Sequence, residues 1–299
     1  MLLSSKAKPE NVILCPFDNG IRVMQEFKRG VYGAYKAPEA IYSKLFPKEK
    51  VINKIPEVEK LNTKKNEDTY KAHQSITNYI SQFKTPFIVL GGDHSITYPI
   101  IRGIYERKKY KKIGLIYFDA HYDMRPLEGP NKDVLSSGNS FYRILTDKDF
   151  SEFLTGENMV VIGIKKGESE IFKQMEQMSV DKKMTTFYLN EINDSSYKTI
   201  MQKAIEIAGK NTEGIYLSFD TDVLDKKYVP GASCPAEVGL ELNIAKNMII
   251  LGNFIGADIV ETSNRELSWK NETDPDGDKK LEISALSDTE IINSINLVE

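Results

Sequence analysis

Short runs of apolar and β-branched residues recur along this chain, and several are followed by a turn and then by an amphipathic stretch. That alternation restricts the fold to a mainly parallel sheet wrapped by helices, because parallel neighbours need a crossover long enough to hold a helix. The runs cover residues 12–15, 86–90, 113–118, 159–164, 186–189, 214–219 and 257–260. Between them, residues 95–107 place Ile96, Ile100, Ile101 and Ile104 on one helical face, and residues 197–208 and 244–251 show comparable periodicity. No internal repeat or low-complexity tract breaks the pattern, so one α/β domain over residues 1–299 is expected. The polar stretches 57–67 and 262–280 read as solvated loops. The turn formers Asp274, Pro275, Asp276 and Gly277 place a long surface loop before a final helix near 287–296.

Composition narrows the function. Apolar residues make up 40% and charged residues 28%, the balance of a soluble globular chain. A formal charge of -3 gives no global attraction to nucleic acid or to an anionic membrane, so small molecules are the expected partners. The two cysteines, Cys15 and Cys234, give no disulfide framework. Residues 1–9 hold no apolar run of leader length, and no later stretch approaches the ~20 apolar residues of a membrane-spanning helix. A cytoplasmic protein is expected.

Three of the runs end in acid or imidazole. Gly91-Gly92-Asp93-His94-Ser95 follows the second run and precedes a helix, which puts His94 at the sheet edge where α/β proteins bind ligands. The glycines allow a sharp turn and close backbone approach. Asp119-Ala120-His121-Tyr122-Asp123 follows the third run; in extended backbone its odd-numbered residues project to one side. Asp220-Thr221-Asp222 repeats that arrangement after 214–219. Four carboxylates crowded into one crevice repel one another unless protonated or neutralised. Two divalent cations balance Asp119, Asp123, Asp220 and Asp222 and leave His94 and His121 neutral, which favours two metal ions over one. The third histidine, His73, lies in a polar helix-like stretch and reads as a surface or helix-packing residue. No Walker, dinucleotide-binding, nucleophile-elbow or Cys-x-x-Cys pattern occurs.

Together, Gly-Gly-Asp-His-Ser, Asp-Ala-His-x-Asp and Ser-Phe-Asp-x-Asp, in this order and spacing, resemble the ureohydrolase family of arginases, agmatinases and formiminoglutamases over roughly residues 87–261. The resemblance implies a three-layer α/β fold and two manganese ions bridged by a hydroxide. His94, Asp119, Asp123 and Asp220 would hold one ion, and His121, Asp119, Asp220 and Asp222 the other. It further implies that Asp123 carries a proton to the departing amine and that Glu261 pairs with the cationic amidine or guanidine group. Iron, cobalt or zinc would also suit such donors.

Within the family, arginases and agmatinases carry a histidine in the loop after the second motif. Here that stretch is Ser136-Ser137-Gly138-Asn139-Ser140-Phe141-Tyr142-Arg143, which is closer to the formiminoglutamase pattern, as is Arg125 two residues after Asp123. The chain has only seven arginines among 40 basic residues, and two of them, Arg125 and Arg143, fall in this loop. Guanidinium forks suit carboxylates. Arg125, Ser137, Asn139 and Arg143 are therefore expected to bind an anionic, amino-acid-derived substrate. The leading expectation is hydrolysis of N-formimino-L-glutamate to L-glutamate and formamide, a step in histidine breakdown. The alternatives are a guanidino hydrolase releasing urea and an inactive metal-binding relative acting in assembly. The family resemblance also implies a homo-oligomer, a trimer or hexamer. The Pro-Gly loop from Tyr228 to Pro235 is expected at the pocket mouth, with Cys234 as a small buried hydrophobe.

Overall fold

The computed structural model describes residues 4–63, 65–84, 86–126 and 134–298. Met1, Leu2 and Leu3, part of the stretch read for a leader, lie outside them. The strands are β1 (Val12–Cys15), β2 (Val31–Tyr32), β3 (Asn53–Lys54), β4 (Phe87–Gly91), β5 (Gly114–Phe118), β6 (Met159–Ile164), β7 (Thr185–Tyr188), β8 (Ile215–Asp220), β9 (Gly256–Val260) and β10 (Leu267–Ser268). The α-helices are α1 (Gly20–Glu26), α2 (Ala37–Leu45), α3 (Asn66–Gln82), α4 (Thr97–Glu106), α5 (Ser140–Thr146), α6 (Glu170–Asp181), α7 (Tyr197–Gly209), α8 (Leu242–Ile249) and α9 (Gly277–Ser294).

Eight strands form one sheet in the order β3-β1-β4-β9-β8-β5-β6-β7, and every neighbouring pair is parallel. Because side chains alternate across a strand, a sheet covered on both faces needs apolar residues at every position. β4, β5 and β6 meet that requirement with unbroken runs, and β8 is buried throughout with Ser218 and Asp220 as its polar positions. Val12, Leu14, Ile88, Leu90, Leu217 and Phe219 pack on one face against α2, α7, α8 and α9. Ile13, Val89, Leu115, Tyr117, Val161 and Tyr216 pack on the other against α3, α4 and α5. The result is the three-layer α/β/α sandwich. Among the described residues, no helix is long and apolar enough to cross a membrane.

Each expected run is a strand, with ends moved by one residue at most. The sequence pattern missed β3, a two-residue edge strand, and the small antiparallel pair of β2 with β10. Their pairing comes from chain proximity and carries no apolar period. The expected loop before the last helix needs a larger correction. α9 starts at Gly277, ten residues before the expected 287, and Thr262, Ser263 and Asn264 are buried rather than solvated. The turn formers are the helix start itself. Gly277 is required there because a Cβ would lie 1.8 Å from the backbone oxygen of Asn264.

Candidate metal centre

All strands of the large sheet run the same way, so their carboxyl ends lie along one edge. β4, β9, β8 and β5 are consecutive in that sheet, and they end respectively at Gly91, Val260, Asp220 and Phe118. His94, Glu261, Asp220 and Asp119 therefore meet over the four central strands. Gly92 lets the first motif turn there, since a Cβ would fall 1.9 Å from the carbonyl oxygen of Phe17. Asp93 faces away from the crevice; its carboxylate accepts the backbone N–H groups of Ser95 (2.9 Å) and Ile21 (3.0 Å), fixing the turn.

The donors converge in two groups. The first holds His94, Asp119, Asp123 and Asp220, and the second holds His121, Asp222 and Cys234. In the first, His94 Nδ1 lies 3.3, 3.1 and 3.2 Å from the Oδ2 atoms of Asp119, Asp123 and Asp220. In the second, His121 Nδ1 lies 3.0 Å from Asp222 Oδ2. Asp119 and Asp220 spend their other oxygens on the backbone: Asp119 Oδ1 accepts from the N–H of His121 (2.6 Å), and Asp220 Oδ1 from that of Asp222 (2.8 Å).

These bonds correct the extended-strand expectation for both motifs. After Asp119 the backbone bends, and Asp123 returns to the centre at φ 45. Thr221–Val223 is a 3-10 turn capped by the side chain of Asp220. The residues meet because the strands end in turns, not because they continue as strands.

Buried charge dominates the electrostatics. Burial opposes a charge on His94, but Asp119, Asp123 and Asp220 outweigh it and hold the imidazole well above its ordinary range. Burial, reinforced by Asp119, pushes Asp123 up to about 6. Burial, with Asp222 and Asp119, raises Asp220 well above the carboxylate range. His94 Nδ1 and Asp119 Oδ2 are fully buried with no hydrogen-bond partner. Both are aimed into the same group of donors, and a buried carboxylate oxygen left without a proton donor is what a cation satisfies. The donor chemistry thus fits divalent metal ions.

A relay behind His94 sets its tautomer. Ser218 Oγ donates to Asp258 Oδ1 at 2.6 Å, while Asp258 Oδ2 accepts from Tyr216 and Thr97. The Ser218 hydroxyl has one proton, so it accepts from His94 Nε2 at 2.9 Å, which commits Nε2 as a donor and leaves Nδ1, the nitrogen facing the carboxylates, as the one a cation would take. Asp258 escaped the sequence reading, although a carboxylate inside the apolar run 256–260 was the available signal.

An open cleft adjoins the two groups. His121, Asp123, Asp220, Asp222 and Glu261 line it, as do Arg125 and Ser137. Glu261, at φ 70, accepts the His94 N–H at 2.7 Å through Oε1 and the Ser233 hydroxyl through Oε2. Arg125 lies with its guanidinium carbon 4.3 Å from the Phe27 ring centroid. Asn139 and Arg143 are not among the lining residues. The Asn139 amide closes its own turn, accepting from Ser136 N (2.8 Å) and donating to Val134 O (3.2 Å). Arg143 sits half-buried on α5. In their place the cleft is lined by Arg29, which no local motif marks, and by Cys234, which is half-exposed rather than buried. His73 packs inside, against the edge of Phe17, and burial lowers it to about 3, so it is a neutral core histidine.

Behind the third motif, Thr262 Oγ1 bridges Thr221 Oγ1 (3.1 Å) and the buried Asp288 Oδ2 (2.7 Å). Burial raises Asp288 to about 7, against 3.8 as its ordinary value, and the Thr262 bond offsets this only in part. Folding therefore takes up a proton between about pH 4 and pH 7, and stability falls as pH rises through that window. In Asp288→Asn the dependence is removed. Thermal melts are expected to show the variant gaining on the parent from pH 4 to 7 and holding a constant difference above; parallel curves would contradict the assignment.

A three-layer parallel sheet with acid and imidazole groups gathered at its central carboxyl edge defines a class of α/β proteins able to hold metal ions there. The profile of the arginase family matches residues 12–273, and the chain belongs to that family. It is 30% identical to an arginase of Brevibacillus brevis over 60% of this chain and 61% of that one. It is 36% identical to a formimidoylglutamase of Halalkalibacterium halodurans over 50% of this chain and 43% of that one. The chain thus matches less than two thirds of the length of either relative. Among solved structures, the formimidoylglutamase of Bacillus subtilis superposes with a TM-score of 0.72 at 18% identity, covering 97% of this chain and 88% of that one. The formiminoglutamase of Trypanosoma cruzi, solved with Mn2+, gives 0.69 at 20% identity, covering 98% and 96%. At these identities the structural likeness carries the fold.

Proposed function

We propose that the chain hydrolyses a linear amidine, N-formimino-L-glutamate, to L-glutamate and formamide. The observation that carries this reading is the cleft itself: five acid or imidazole side chains at the sheet edge share it with two arginines, Arg29 and Arg125. A substrate with a cationic formimino group and two carboxylates matches both signs of charge.

His94, Asp119, Asp123 and Asp220 would hold one manganese ion, and His121, Asp222 and the shared Asp119 and Asp220 a second. When bound, such a pair supplies the Lewis acidity that makes water nucleophilic near neutral pH. The protein's own groups do the rest. Glu261, oriented by the His94 N–H and the Ser233 hydroxyl, pairs with the amidinium and holds its carbon toward the two groups of donors. Arg125 and Arg29 bind the glutamate carboxylates, and Ser137 offers a hydroxyl beside them. Water adds to the formimino carbon, and the bond from that carbon to the glutamate nitrogen breaks. Asp123 delivers the proton that the departing amine requires.

The similarity to arginases favours a second reading, a guanidino hydrolase releasing urea. Protein supplied with manganese and incubated separately with N-formimino-L-glutamate, agmatine and arginine distinguishes the two. Formamide and glutamate from the first are expected; urea from either guanidino compound, without formamide, would overturn the substrate assignment.

A further inference from the structure

We propose that Asp288, on α9, is a positioning residue that fixes the Asp220-Thr221-Asp222 turn through a chain of two threonine hydroxyls. The inference rests on the metal-centre reading above and gives that centre a support from outside its own residues. Among the described residues, α9 supplies none of those that line the cleft. Its buried face runs through Leu281, Ser284, Ala285, Asp288, Ile291 and Ile292, the spacing at which a core-facing helix carries apolar side chains. Within that stripe stands a carboxylate that is 0% exposed, and among the described residues its Oδ1 has no hydrogen-bond partner. A buried polar group left half satisfied weakens the fold, and local rules are broken in this way chiefly in the service of a functional site.

The other oxygen shows what the carboxylate does. Asp288 Oδ2 accepts the Thr262 hydroxyl at 2.7 Å, and Thr262 Oγ1 lies 3.1 Å from Thr221 Oγ1. A hydroxyl has one proton. Because Thr262 gives its proton to Asp288, Thr221 donates to Thr262, and the chain runs in one direction, from the third motif to α9. Thr221 is fully buried between Asp220 and Asp222, and Thr262 directly follows Glu261. Asp288 thus ties the turn that bears two carboxylates, and the strand end that bears the amidine partner, to one helix. Two α9 hydroxyls act alongside it. Ser284 Oγ accepts from Gly231 N (2.9 Å) and Ser287 Oγ donates to Tyr228 O (2.8 Å), holding the segment that leads to Ser233, the partner of Glu261 Oε2. Without the carboxylate, the Thr262 proton is free to turn toward Thr221, and the pair of threonines loses its anchor.

Asp288→Ala in the full chain, compared with the parent for Mn2+ affinity by calorimetry and for steady-state kinetics, tests this. Mn2+ affinity and kcat should each fall roughly tenfold or more, as for other residues that orient metal ligands, while KM changes little. Asp288→Asn should hold both within roughly threefold of the parent, because its carbonyl oxygen still accepts from Thr262. A structural role alone would move the melting temperature and leave metal affinity and kcat where they were. Thr262→Val breaks the same chain at nearly constant shape and should reproduce the loss even if Asp288→Ala fails to fold. Where both fold, the double variant should lose no more than either single one. Parent-level Mn2+ affinity and kcat in Asp288→Ala or Thr262→Val, or a loss in Asp288→Asn as large as in Asp288→Ala, overturns the positioning role and leaves the metal centre standing. No Mn2+ bound to the parent overturns both, and the affinity measurement reads the same whichever substrate the centre turns over.

Discussion

Asp220→Asn is expected to lose turnover by roughly 10^3-fold or more, equivalent to about 4 kcal/mol of barrier, without loss of fold. The asparagine oxygen can still accept the N–H of Asp222, the bond that builds the third-motif turn. What disappears is one negative charge at the point where Asp119, Asp222 and His94 crowd together. In the metal-free protein that charge is a burden: burial and the neighbouring aspartates push the Asp220 carboxyl well above its ordinary range. Two effects of opposite sign follow. The metal-free variant should melt at or above the temperature of the metal-free parent, while its manganese content and its activity collapse. Parent-level turnover in a purified variant would place the chemistry at another site, and a variant that fails to fold would show that the Asp220 charge stabilises the chain.

Arg125→Ala addresses the substrate. If the guanidinium receives a glutamate carboxylate, its removal deletes charged hydrogen bonds worth about 1.5–3 kcal/mol each, and KM for N-formimino-L-glutamate should rise roughly 10- to 100-fold. The maximal rate should change less, because the carboxylate is remote from the formimino carbon and is bound alike before and during reaction. Arg125→Lys should recover little. The guanidinium also lies against Phe27, and an ammonium reproduces neither that stacking nor a two-pronged carboxylate contact. An unchanged KM in the alanine variant would remove Arg125 from the binding site and leave Arg29 as the carboxylate anchor.

Both experiments depend on side chains whose convergence was unequally visible in the chain. Asp119, His121, Asp220 and Asp222 announce themselves because each pair follows directly on an apolar strand. Their grouping was read for an inexact reason, since extended backbone would have sent Asp119, His121 and Asp123 to one place. The bend after Asp119 instead divides them between two groups. Asn139 and Arg143 were drawn into the site by their position in a loop. The first closes its own turn and the second lies half-buried on α5, outside the residues that line the cleft.

Local pattern alone determined the layered α/β plan and the acid and imidazole tails of its strands. A strand end, its turn and its donors occupy fewer than about ten residues, and burial on both faces demands an unbroken apolar run. The neighbours of each tail were decided only by the folded chain. Placing β9 and β8 between β4 and β5 brings Glu261 against His94, couples Asp258 through Ser218 to the same imidazole, and carries Arg29 and Cys234 to a cleft that no contiguous segment encodes. Strand order is a property of how whole layers pack, and the residues that share a cleft inherit it.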